Sequence, residues 1–61
     1  MRNIKKIRLM RGYTQRYLAY KMGVSQQAVV KWESGIAAPK FPRLTLIAQA
    51  LECDVSDLLD D

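Results

Sequence analysis

The sequence predicts an all-α domain built of five short helices around one core. Three observations carry that prediction. Apolar residues recur three and four positions apart, and no β-branched alternation or hairpin signal occurs anywhere. A helix start is written three times in the same grammar, a short polar cap stapled between two apolar residues: Tyr13-Thr14 with Leu18, Val24-Ser25 with Val29, and Cys53-Asp54 with Leu58. Gly23, Gly35 and Pro39 supply the stops.

The first helix runs from Asn3 to about Arg11. Ile4 and Ile7 stand on its core side with Arg8 beside them, while Lys5 and Lys6 point outward. Leu9 and Met10 are apolar residues without an evident place in the core. The second helix spans Gln15 to Met22 behind the Thr14 cap and buries Leu18, Ala19 and Met22, with Tyr17 and Tyr20 near its outer side. Gly23 follows, where the chain needs a left-handed residue, and Ser25 caps the third helix. Two short helices joined by so short a turn form the helix-turn-helix layout.

The third helix has two unlike faces. At about 100° per residue, Ala28, Val29 and Trp32 fall on one side, and Gln26, Gln27, Val30, Lys31 and Ser34 on the other. The second face carries two amides, a cation and a small apolar group. Gln pairs with the adenine edge in the major groove, and small apolar groups touch the thymine methyl. Gln26 and Gln27 lie in the first turn, the end of such a helix that reaches base edges.

After Gly35, Ile36-Ala37-Ala38-Pro39 is a neutral loop that Pro39 keeps from continuing the helix. The fourth helix runs from Phe41 to Leu51, with Phe41, Leu44, Ile47, Ala48 and Leu51 as its core stripe and Pro42 in the first turn, where a missing N–H costs little. Asp54 and Asp57, a capping-box-like pair, open the last short helix.

Composition bounds the function. Sixty-one residues make a single small domain, residues 1–61, near the size at which one core is only marginally stabilising. The net charge of +4 hides an asymmetry: residues 1–51 hold all ten Lys and Arg against one acid, Glu33, and the last ten residues hold the other five acids. Such separation implies one face turned toward a polyanion. The single Cys53 allows no internal disulfide, and without histidine it makes no Cys-based zinc site. It reads as a small apolar residue. No cofactor is implied. The basic start lacks the apolar run of a signal peptide, and no stretch approaches a membrane span, so the chain is expected in the cytosol. Without a nucleophile–base pair or a metal-ligand cluster, no enzyme is expected.

Arg8-x-x-x-Gly12-Tyr13-Thr14-Gln15, Leu18-Ala19, Gly23-Val24-Ser25 and Trp32-Glu33-Ser34-Gly35 resemble the lambda-repressor-like helix-turn-helix family. That family comprises small phage repressors, Cro proteins and bacterial regulators of the xenobiotic-response-element type. Pro39, Leu44 and Ile47 to Leu51 resemble its fourth helix, and Asp54 to Leu59 its fifth. Two departures stand out. The loop after Gly35 lacks basic residues until Lys40, and Glu52 stands where a glycine commonly ends the fourth helix.

The resemblance implies a prokaryotic or phage transcriptional regulator, a repressor or Cro-like switch, that binds double-stranded DNA with its third helix in the major groove. Gln26, Gln27, Val30 and Lys31 are the expected base contacts. Gln15 begins the second helix, where free N–H groups and the helix dipole favour phosphate. The family uses the matching Gln as a backbone clamp, and here it is expected beside Gln26 and Gln27. Arg11, Arg16, Lys40 and Arg43 are further candidates for phosphate, as Lys31 is for either kind of contact. Arg8 and Glu33 match a structural ion pair of the family. Such modules act as homodimers on pseudo-palindromic operators, and Leu58 with Leu59, or Leu9 with Met10, are the candidate dimer surfaces. An alternative of another class is a protein-interaction module on the same fold, an antirepressor or antitoxin component, which the neutral loop and the outward Tyr17 and Tyr20 would fit.

Overall fold

The computed structural model describes residues 1–59. Five helices account for most of them: α1 Arg2–Met10, α2 Gln15–Met22, α3 Gln26–Ser34, α4 Phe41–Leu51 and α5 Val55–Leu59, with no strand among the described residues. The ends follow from local chemistry. The Thr14 hydroxyl accepts from the Tyr17 N–H at 2.9 Å, and the Ser25 hydroxyl from the Ala28 N–H at 3.2 Å. Both satisfy amides that the first turn leaves without helical partners. Between α2 and α3 the chain turns on Gly23, at φ 70°, and the Val24 N–H reaches back to the Ala19 carbonyl at 3.0 Å. That bond fixes the entry angle of α3.

The end of α4 is made differently. Glu52 adopts φ 58°, the left-handed region, and is the only non-glycine to do so among the described residues. An L-residue there costs roughly 1–2 kcal/mol from the Cβ–carbonyl contact. Arg11 compensates: its Nε donates to the Leu51 carbonyl and its Nη2 to the Glu52 carbonyl, each at 2.8 Å. Replacing Glu52 by Gly keeps both acceptors and removes the Cβ. Allowing for the extra freedom of glycine in the unfolded chain, Glu52→Gly should stabilise the fold by about 0.5–1 kcal/mol. A thermal melt should show a rise of about 4 °C; an unchanged or lower midpoint would mean that this turn is not strained.

At α5 the Asp57 carboxylate accepts from the Asp54 N–H at 3.0 Å, one half of a capping box. The other half is absent, because the Asp57 N–H is taken by the Asp54 backbone carbonyl at 3.0 Å.

The core consists of Ile4, Leu18, Ala19, Val29, Trp32, Leu44, Ile47, Ala48, Leu51 and Leu58. α3 packs on α2 and α1, α4 on α2 and α5, and α5 closes against α1 and α4. α3 is thus pinned along its inner side by the two preceding helices. Its outer side stays open.

Three expectations are corrected here. Phe41 is 66% exposed and not part of the core. It is the first residue of α4, and the stripe of that helix is covered only from Leu44 onward, so the first turn overhangs. Leu58 is fully buried and belongs to the core, which removes it from any surface a partner could reach. Met22 is only half-buried, at the rim of the same core. Cys53 is also half-buried, and burial, with the Asp57 carboxylate next, pushes its thiol pKa above the ordinary value. Its thiol stays protonated at neutral pH, the unreactive state.

Candidate nucleic-acid interface

A buried polar network fixes α3 against α1 and α2. Arg8 donates from Nε to Glu33 Oε2 at 2.6 Å and from Nη2 to Glu33 Oε1 at 3.2 Å, a two-point fork, and from Nη1 to the Tyr13 carbonyl at 2.7 Å. The two side chains keep only 7% and 5% of their surface exposed. Two charges so placed must be neutralised and hydrogen-bonded throughout. They are: among the described residues no buried side-chain nitrogen or oxygen lacks a partner. The fork ties the last turn of α3 to α1 and to the chain entering α2.

Gln15 joins that network. Its Nε2 donates to Glu33 Oε1 at 3.0 Å, so the same carboxylate holds both Arg8 and the first residue of α2. The sequence alone set Gln15 beside Gln26 and Gln27. Its amide donates to Glu33, two turns beyond Gln26 along α3. The link joins positions eighteen residues apart, a distance over which sequence periodicity carries no information. The signal that could have revealed it is chemical: a lone acid with one cationic partner still has lone pairs to fill.

The open face of α3 carries Gln26, Gln27, Lys31 and Ser34 exposed, with Val30 half-buried between them. The amides of Gln26 and Gln27 make no hydrogen bond within the described residues. They sit in the first turn, on a helix whose opposite side is locked by Val29 and Trp32 in the core. Donor and acceptor groups are therefore presented outward on a rigid support. Arg16, Lys40 and Arg43 are exposed at the start of α2 and the start of α4.

Arg11 does not join this set. Its guanidinium lies at the C-terminus of α4, held by the Leu51 and Glu52 carbonyls. The unsatisfied carbonyls of a helix end attract a cation, and Arg11 caps them. The outer side of α2 carries a small aromatic cluster. The Tyr13 and Tyr17 rings meet at 4.8 Å with 60° between their planes, and Lys21 Nζ lies 5.7 and 5.6 Å from their centroids.

The acids Glu52, Asp54 and Asp57 gather at the α4–α5 junction, and the exposed faces of α2 and α3 carry none. No group of His, Cys, Asp and Glu among the described residues could hold a metal ion. No described helix is long and apolar enough to cross a membrane. What the α2–α3 face offers is exposed hydrogen-bonding amides and cations on helices anchored in the core, the chemistry of contact with an anionic, hydrogen-bonding surface.

Searches of the curated proteins and of the solved structures return no significant match. The helix-turn-helix family model matches residues 4–58, from the first core residue of α1 to the last of α5. The chain belongs to the Cro/C1-type helix-turn-helix family, a family of DNA-binding transcription regulators.

Proposed function

We propose that the protein is a sequence-specific regulator of transcription, a repressor or Cro-like switch, that lays α3 in the major groove of duplex DNA. The observation that carries this reading is the pair of amides, Gln26 and Gln27, without a hydrogen bond among the described residues, on the open first turn of a helix whose other side is locked in the core. Val30 and Lys31 extend the reading face by one turn. Gln15, Arg16, Lys40 and Arg43 contact phosphate at its flanks. Gln15 keeps its second amide hydrogen for that purpose, since one Nε2 hydrogen is used on Glu33. Two copies bind a pseudo-palindromic operator, because one helix buries too little surface for useful affinity.

Selection from random duplex DNA tests this reading, and the salt dependence of binding to the selected sites tests its electrostatics. If the cations Arg16, Lys31, Lys40 and Arg43 each neutralise one phosphate, log affinity should fall with log salt at a slope of about −3.6 per half-site. Lys31→Ala should lower that slope by about 0.9 if Lys31 meets phosphate, and should leave it unchanged with altered base preference if it meets a base. No enriched sequence and no salt dependence would remove the DNA reading. They would leave a protein-interaction module, which the exposed Tyr20 and the neutral Ile36-Ala37-Ala38 loop would serve.

A further inference from the structure

The start of α2 is tied down on both its backbone and its side chains, and most of the ties lead to one ion pair. Tyr13 exchanges two hydrogen bonds with Arg8: its N–H donates to the Arg8 carbonyl at 3.0 Å, and its own carbonyl accepts from Arg8 Nη1 at 2.7 Å. Thr14 caps the turn through the Tyr17 N–H. Gln15 then donates to Glu33 Oε1 at 3.0 Å, on the carboxylate that Arg8 grips through Nε and Nη2. Any donor would fill the remaining lone pair of Glu33. The donor used is the first residue of α2, at a helix start, where the dipole favours phosphate.

We infer that Glu33, held by Arg8, is a positioning residue for DNA binding: it fixes which end of the Gln15 amide faces the protein, and so sets how the remaining N–H meets phosphate. A carboxylate accepts and does not donate. It takes the NH2 end of the amide and rejects the carbonyl end, whose oxygen it would repel. One amide hydrogen is used on Glu33 and the other is left. An untethered Gln would turn its carbonyl oxygen toward phosphate in one of its two amide orientations. It would also have to be immobilised on binding, which lowers affinity by roughly two- to tenfold. Here the side chain is ordered during folding, by a carboxylate that is itself shielded and held at two points.

The same bond sets one DNA contact relative to another. Gln15 opens α2 and Glu33 stands in the last turn of α3. Theirs is the one side-chain hydrogen bond between these two helices among the described residues. It therefore fixes the phosphate contact against the face that carries Gln26 and Gln27. Glu33 is too deeply shielded to touch DNA itself, and Arg8 acts one step further back, through Glu33.

This role rests on the DNA reading, and the test separates the two. Affinity for a selected duplex and for an unrelated one is measured at a temperature where melts show every variant folded. The proteins are wild type, Gln15→Ala, the pair Arg8→Met with Glu33→Leu, and all three changes together. Gln15→Ala should lose roughly tenfold, the effect of one hydrogen bond to a charged group. The Arg8–Glu33 pair should lose roughly two- to tenfold. The triple variant should bind no more weakly than Gln15→Ala alone, because both changes act on one contact. The losses should be equal on the two duplexes and leave the salt slope unchanged, since Gln15 is uncharged and meets no base. A pair that served stability alone would move the melting temperature and none of these. If the Met–Leu pair does not fold, Glu33→Asp takes its place: it keeps a carboxylate for Arg8, withdrawn from Gln15 by one methylene, and should show the same loss. Gln15→Glu checks the contact on protein alone. It sets two carboxylates against each other and should lower the melting temperature at neutral pH, whereas an acid free of Glu33 at a helix start would raise it. Losses that multiply in the triple variant, Glu33→Asp that binds like wild type, or Gln15→Glu that melts higher would each overturn the proposal with DNA binding intact. Wild type that binds no duplex would remove the DNA reading, and this role with it.

Discussion

Replacing either Arg8 or Glu33 alone is expected to destabilise the domain by about 3–5 kcal/mol, enough to leave most molecules unfolded near 37 °C. Arg8→Met strands a carboxylate that is almost wholly shielded from water and removes both of its charged hydrogen bonds. Glu33→Leu strands the guanidinium in the same place, leaving it only the Tyr13 carbonyl, and also frees Gln15 Nε2. In either case the survivor must be hydrated in a packed interior, and a domain of this size has little stability in reserve. The two changes together should cost less than the worse single one. Apolar groups of similar volume fill the space, and neither charge remains to be solvated. Urea or thermal melts of the four proteins close the cycle. If both single substitutions melt like wild type, the pair carries no stability. If the losses simply add, Arg8 and Glu33 do not act on each other.

The largest effect on recognition is expected from Gln26 and Gln27. A two-point Gln–adenine contact discriminates by about 1–3 kcal/mol, which is about 5- to 150-fold in affinity for the preferred site. Gln26→Ala and Gln27→Ala should leave the melting temperature almost unchanged, since both side chains are exposed and make no hydrogen bond within the described residues. Alanine also favours helix over glutamine by a small margin. The loss should be confined to one or two base positions per half-site. Affinity for unrelated duplex should hold, because the phosphate contacts remain. Competition of each variant against duplexes changed one base at a time measures this directly. Retention of the full wild-type preference in both variants would mean that α3 does not read bases through these amides.

How far the sequence alone reached can be judged residue by residue. The bounds of α2 and α4 were legible because their signals are local. Thr14 as a cap, Gly23 as a left-handed stop and Pro42 in a first turn each act within four or five residues of chain. The apolar stripe of α4 was legible from Leu44 to Leu51 for the same reason. Phe41 continues that stripe by spacing, yet it is exposed. Periodicity states which side of a helix a residue faces, and it does not state where the neighbouring helices end.

The polar residues divide along the same line. A lone acid, Glu33, in a basic half of the chain required neutralisation, and Arg8 was the named partner through resemblance to a family. That Gln15 shares Glu33 Oε1 with Arg8, and that Arg11 caps α4, depended on contacts between residues eighteen and forty or more apart. So did the exposure of Ile36, Phe41 and Leu46. By itself the sequence determined five helices, their caps and stops, and which face of α3 is polar, because each is settled by bonds and packing within a turn or two. Only the tertiary structure decided which cations stay free, which apolar residues are left uncovered and which carboxylate oxygen holds Gln15. Burial and charge pairing depend on what the other helices bring to the same place, and no local pattern encodes that.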